Sequence, residues 1–359
     1  MRRTATARLC LGHLLANLDR AREAAPGSRI MAVIKAEAYG HGMLRVAECL
    51  ASRVDALAVS CLDEASALRE AGYHQPILVL QGFKDERDLR AASQLDVAVT
   101  VHEDSQLRLL AATRLHRPVR VWLKLDTGMG RLGFAPSRAA ELVAALTSDP
   151  NVTAVPGLMT HLACADAPER PENAAQLARF EAATRHLPGE RSLANSAAIL
   201  ALPDAHADWV RPGIMLYGGS PLAGRTAADL GLRPVMTLNT RLIAIHALNP
   251  GDAVGYGAIW RSERHTRVGV AAIGYADGYP RHAPSSTPVL VRGQRVPLIG
   301  RVSMDMITVD LTDLETVQVG DVVTLWGEGL PVDEVAAAAR TIGYDLLCRV
   351  HDRVHVTTC

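Results

Sequence analysis

Nowhere does the chain hold an apolar run of the roughly 18 residues that a bilayer crossing requires. It has no excess of charge either. Lysine plus arginine and aspartate plus glutamate number 38 each, so no overall field draws it to nucleic acid or an anionic membrane. Its six cysteines (Cys10, Cys49, Cys61, Cys164, Cys348 and Cys359) include no C-x-x-C pair, which speaks against a zinc site or disulfide scaffold and for reduced thiols in the cytoplasm. Two early arginines are followed by short apolar stretches broken by charge, unlike a secretory signal. Internal repeats and low-complexity tracts are missing too. What is present is ordinary: 359 residues, 48% hydrophobic and 21% charged, a globular composition of a length that suggests about two domains.

From residue 30 to 222 a strand-then-helix rhythm repeats. Strands are expected over 31–34, 56–60, 77–81, 97–101, 119–125, 155–161, 192–194 and 209–211. Helical patterns fill the gaps, such as 63–71 with Gly72 as its stop and the alanine-rich 171–187. This count predicts an α/β fold, a (β/α)8 TIM barrel over 10–224, with a doubly wound open sheet as the competitor. Over 225–359 the texture becomes β-rich, at 235–247, 268–276, 289–291, 302–311 and 322–326, interrupted by one helix at 332–342. Turn signals such as Asn249-Pro-Gly-Asp252 and Asp277-Gly278 predict a mostly antiparallel second domain, with residues 1–9 pairing to it.

The first expected strand leads into Met31-Ala-Val-Ile-Lys-Ala-Glu-Ala-Tyr-Gly-His-Gly42. Lys35 stands where it leaves the sheet, an unfavourable place for an ammonium unless it is paired or used covalently. Such a lysine either snorkels to the surface or loses its proton and attacks a carbonyl as a Schiff-base amine. Barrel chemistry gathers at the C-terminal strand ends. Those ends carry Lys124 (fifth strand), His161 (sixth), Asn195 and Ser196 (seventh) and Arg211 (eighth). Ser196 reads as a plain N-cap or, with Tyr39, Gly213 and Ile214, as part of a phosphate cup of hydroxyl and backbone N–H groups. A strand-end lysine with such a cup suggests bound pyridoxal 5'-phosphate. Arg211, facing the pyridine nitrogen, cannot give up its proton, so the ring is a weaker electron sink than one facing an acid. His161 holds Arg211 or packs beside the ring, unless it is a satisfied core histidine.

Five longer segments carry a resemblance. Lys35-Ala-Glu-Ala-Tyr-Gly-His-Gly42, Lys124-Leu-Asp-Thr-Gly-Met-Gly-Arg-Leu-Gly-Phe134, Val210-Arg-Pro-Gly-Ile-Met-Leu-Tyr-Gly218, Gly274-Tyr-Ala-Asp-Gly-Tyr-Pro-Arg281 and Gly300-Arg-Val-Ser-Met-Asp-Met306 resemble, in order, the signature segments of the alanine racemase family. The resemblance spans nearly the whole chain. It implies a barrel plus a β-domain, bound pyridoxal phosphate, and a head-to-tail homodimer with active sites shared between subunits. Lys35 would be the cofactor lysine and the base for the D-enantiomer, and the partner subunit's Tyr275 the opposing base for the L-enantiomer. Racemisation needs proton exchange on both faces of one α-carbon, which suits two such groups. Arg131 and the Met304 backbone N–H would meet the substrate carboxylate. Tyr39, Ser196, Gly213 and Ile214 would meet the phosphate, with His161, Asn195 and Arg211 also at the cofactor. Lys124 is similar to a lysine that carries a carbamate in many members, and no metal is expected.

Two positions depart from the family pattern. Glu37 stands where asparagine is usual, harmless if it points away from the site. Asp352 is aligned with a tyrosine that in some members meets the phosphate or the mouth of the site. The expected function is alanine racemisation in the cytoplasm, supplying D-alanine for cell-wall precursors. The alternatives are a racemase for serine or a basic amino acid, a decarboxylase on the same barrel plan, and a non-catalytic pyridoxal phosphate carrier. Arg211 and the Tyr275 segment argue against the decarboxylase, and the β-rich second half argues against the carrier.

Overall fold

A computed structural model describes residues 4–359. Eight strands close into a parallel barrel: Arg29–Val33, Ala56–Val59, Ile77–Val79, Ala98–Val101, Val121–Lys124, Gly157–Met159, Arg191–Asn195 and Trp209–Arg211. The first pairs with both the second and the eighth, which excludes an open doubly wound sheet. The strands are short and mostly apolar because both faces are covered, by packed side chains inside and helices outside. The helix Glu86–Leu95 shows how each outer element is specified. Asp85 caps it by accepting the Asp88 N–H, Asp96 ends it in a left-handed conformation, and Leu89 and Ala92 face the barrel. Toward the N-terminal end Trp122 packs edge-on against Trp209, ring centres 6.3 Å apart. Gly157 makes room for that indole, since a Cβ there would lie 2.6 Å from it.

The second unit is an eight-stranded, mostly antiparallel sheet. Its spine, Met236–Leu248, pairs with Thr6–Leu9, Thr266–Ala271 and Val322–Trp326. Thr6–Leu9 precedes the barrel in sequence yet sits in this sheet, parallel on its other side to His355–Thr358. Residues 1–3, expected to pair there as well, lie outside the described residues.

Two strands stop short of expectation, at Thr266–Ala271 and Ile307–Asp310. Their missing ends form turns that pack on each other. The Ser303 and Met304 carbonyls accept the Tyr275 and Ala276 N–H groups at 3.1 and 3.0 Å, and Gly274 lies too close to both carbonyls for any Cβ. The single helix expected at 332–342 is two, Val332–Ala338 and Gly343–Cys348. Between them Arg340 takes a left-handed conformation (φ 57°), and the redirected chain brings Tyr344 to the barrel mouth. One apolar core runs through both units. Among the described residues no helix is long and apolar enough to cross a membrane.

Candidate active site

The strand ends converge on a cavity of about 510 Å³ at the C-terminal mouth of the barrel. Lys35, Tyr39, Lys124, Arg131, His161, Asn195, Ser196, Arg211, Gly213 and Ile214 all line it. After Lys35 the backbone makes a turn of left-handed helix: Ala36, Glu37, Ala38 and Tyr39 have φ of 52, 52, 52 and 55°. For non-glycine residues this costs about 1–2 kcal/mol each, so the surroundings must hold it. Glu64 accepts the Ala36 N–H at 2.7 Å and the Ser60 N–H at 2.6 Å, tying the first strand end to the second. The Glu37 carboxylate accepts the Met43 N–H at 3.0 Å at the start of helix Met43–Leu50 and lies in a neighbouring pocket, not in the cavity.

The turn buries Tyr39 and stacks its ring on Tyr217, centres 4.8 Å apart. The Tyr39 hydroxyl then lies over Gly213, where a Cβ would sit 2.6 Å from it. Ser196 Oγ accepts the N–H of Gly213 at 2.8 Å and of Met215 at 3.4 Å, which leaves its own proton to point elsewhere. The Asn195 side-chain oxygen caps the short helix Ser196–Ala201 by accepting the Ala198 N–H at 3.1 Å. Hydroxyls of Tyr39 and Ser196 thus meet at Gly213, whose missing side chain makes room for the Tyr39 hydroxyl in a cradle of polar groups.

Charge sharpens that reading. Four basic side chains, Lys35, Lys124, Arg131 and Arg211, line the cavity, and among the described residues no aspartate or glutamate does. Arg211 is buried and donates to the carbonyls of Thr160 at 2.8 Å and Leu193 at 3.2 Å, to the Ser192 hydroxyl, and to His161 Nδ1 at 3.4 Å. Burial lowers its pKa to about 10, so it stays charged at neutral pH. His161 is held neutral, its pKa pushed well down by burial and then by Arg211. Accepting at Nδ1, it carries its ring proton on Nε2. Lys124 falls to about 8 through burial, Arg211, Arg131 and Lys35. Lys35 is lowered by burial first and Arg131 second, against opposing pulls from Glu64 and Cys348. Arg131 hangs at the rim on a loop built by Asp126, whose carboxylate accepts the N–H groups of Gly128, Met129 and Gly130 at 2.9, 2.9 and 3.1 Å. Phe134 closes the loop by donating to the Lys124 carbonyl at 2.9 Å.

Tyr275 and Met304 do not line this cavity. They are neighbours on the second unit, 38% and 53% exposed. The same unit presents Tyr256, 70% exposed between Gly255 and Gly257, a V-G-Y-G turn that sequence reading passed over. Tyr344 was missed as well. It lines the cavity with its ring 6.0 Å from that of Tyr39, whereas Asp352, expected at that place, lies in the neighbouring pocket with Glu37. The helix break at Arg340 decides this, and residue spacing alone does not reveal it.

The fold and its mouth define a barrel enzyme whose strand ends gather basic side chains around one cavity. The chain belongs to the alanine racemase family. A sequence model of the alanine racemase N-terminal domain matches residues 9–221 and one of the C-terminal domain matches 235–358. The alanine racemase of Thioalkalivibrio sulfidiphilus is 59% identical over 357 residues, 99% of either chain, and that of Nitrosococcus oceani 55% identical over 94% of either. The biosynthetic alanine racemase of Pseudomonas aeruginosa has the same structure at a TM-score of 0.97, with 46% identity and 99% of both chains covered. The Bartonella henselae alanine racemase, described with covalently bound pyridoxal phosphate, superposes at 0.89 with 27% identity over 99% of both chains.

Proposed function

We propose that this racemase holds pyridoxal 5'-phosphate at Lys35 and interconverts L- and D-alanine by proton transfer on both faces of the α-carbon. The observation that carries the reading is the basic, carboxylate-free mouth around a lysine whose own pKa is lowered. The residues fit the cofactor: Tyr39, Ser196 and Ile214 around Gly213 for the phosphate, Arg211 for the ring nitrogen, and His161 holding Arg211. When bound, the group supplies an aldehyde that takes up the substrate amine and a ring that disperses the electron pair left on the α-carbon. Burial favours the uncharged Lys35 amine, which accepts a proton on one face and returns it. Arg131 at the rim, with the partner subunit's Met304 N–H, orients the substrate carboxylate. Arg211, charged and anchored by backbone carbonyls, does not surrender a proton to the ring, which limits side reactions that need a long-lived carbanion.

The opposing acid–base group is a tyrosine of the second unit of a partner subunit, because no tyrosine of that unit other than Tyr344 lines the cavity of its own chain. Family resemblance assigns this role to Tyr275. Exposure favours Tyr256, which projects further and has the Arg301 guanidinium against its turn, 3.6 Å from where a Cβ on Gly257 would lie. This makes the working protein a homodimer with shared sites. The division into a barrel domain of 10–224 and a sheet domain of 225–359 belongs to the same reading, supported by the last barrel strand ending at Arg211 and the sheet spine starting at Met236. So does a cytoplasmic role in supplying D-alanine for cell-wall precursors. Incubation with L-alanine in deuterated water tests the function: α-deuterated D-alanine is expected. Release of carbon dioxide, or no change in the alanine at all, would sink it.

A further inference from the structure

The proposed chemistry leaves one buried titratable side chain without a task. His41 is 1% exposed, does not line the active cavity, and has no partner for Nε2 among the described residues. Its Nδ1 lies 3.0 Å from the Ala38 carbonyl and 2.9 Å from the Tyr39 carbonyl. Both are acceptors, so Nδ1 carries the ring proton and Nε2 the lone pair. Burial lowers its pKa to about 4, which keeps the ring neutral. An unsatisfied buried acceptor is unfavourable. Its persistence points to what the other face of the ring does.

Ala38 and Tyr39 are the last two non-glycine residues of the left-handed turn. Neither is a type that prefers this conformation, and beyond them Gly40 is pressed against the Leu347 carbonyl. The same imidazole stacks on Tyr217 at 4.7 Å, Tyr217 stacks on Tyr39 at 4.8 Å, and the Tyr217 hydroxyl donates to the Val33 carbonyl at 3.0 Å. The column therefore runs from the turn's carbonyls through two rings back to the first barrel strand. We propose that His41 is a positioning residue: it pins the left-handed turn by a forked hydrogen bond and thereby holds the Tyr39 hydroxyl over the phosphate cradle. This inference rests on the cofactor reading given above.

Two variants separate its parts. His41→Phe keeps the stacked ring and loses the donor; His41→Asn keeps an N–H at the place of Nδ1 and loses the ring. Each protein, stripped of cofactor, is titrated with pyridoxal phosphate and with pyridoxal, which lacks the phosphate, following absorbance of the lysine-bound form. His41→Phe is expected to bind pyridoxal phosphate about tenfold more weakly, the effect of one well-placed hydrogen bond, with pyridoxal affinity changed by less than about threefold. His41→Asn is expected to recover most of the loss. Equal losses for both compounds would mean a general packing role, and unchanged binding would mean none; either overturns the inference. Should His41→Phe not fold, His41→Asn carries the test, and a loss of phosphate discrimination there overturns it. Wild-type protein that binds neither compound overturns the cofactor reading and this inference together, whereas normal wild-type binding with indifferent variants removes His41 alone.

Discussion

Two tyrosines contend for one proton. A phenol that works in another subunit's cavity must project and must ionise near neutrality, and Tyr256 meets the first condition better than Tyr275, at 70% against 38% exposure. Tyr256→Phe is expected to lower kcat by roughly 10²–10⁴, the usual worth of a general acid–base group, and Tyr275→Phe by less than about tenfold. The reverse pattern returns the role to Tyr275. Lys124 supports a second prediction. With its pKa near 8, a sizeable fraction of its amine is neutral at physiological pH, as carbamate formation requires. A labelled-bicarbonate carbon resonance should grow as pH rises from 6 to about 8.5 and be missing in Lys124→Ala. The unfolded chain, with an ordinary lysine, binds more protons than the fold between about 8 and 10.5, so this residue makes stability rise with pH across that window.

Among the elements, the barrel strands were legible and the turn after Lys35 was not. Short apolar runs separated by helical patterns give away a parallel barrel, and the observed strands fall within a few residues of those expected. The left-handed turn has no such signature, because Ala36, Glu37 and Ala38 do not demand positive φ. It is imposed from outside, by the carboxylate of Glu64 and the ring of His41. Tyr344 escaped for a similar reason, since its place depends on a break between helices over a hundred residues from the strands it joins. Conversely Lys35, Lys124, His161, Ser196 and Arg211 could be found because strand ends fix them. The cradle itself gives a prediction. Gly213→Ala puts a methyl 2.6 Å from the Tyr39 hydroxyl and 3.8 Å from Ser196 Oγ. Overpacking of this kind typically costs about 1–3 kcal/mol. Pyridoxal phosphate affinity, measured by titration, should therefore fall about 10- to 100-fold. The clash is present without the cofactor too, so the melting temperature should fall by a few degrees as well.

For the molecule as a whole, the cavity is completed in cis by Tyr344 and, in our reading, in trans by a tyrosine of the partner. Mixing inactive Lys35→Ala with inactive Tyr256→Phe protein and allowing subunits to exchange should restore part of the activity, because each mixed dimer holds one intact site. Confirmed exchange with no recovery would count against sharing. The sheet that presents these tyrosines has an unusual debt to the chain's beginning. Thr6–Leu9 pairs with residues 236–239 and with 355–358, while the whole barrel lies in between. Contacts so distant in sequence form late and slowly. As the chain emerges from the ribosome, the barrel has all of its strands before the first strand has either neighbour. That strand must wait with its hydrogen-bonding edges bare, a template for wrong partners. The yield of active protein is therefore expected to respond to synthesis rate and chaperone supply as well as to the stability of the finished fold.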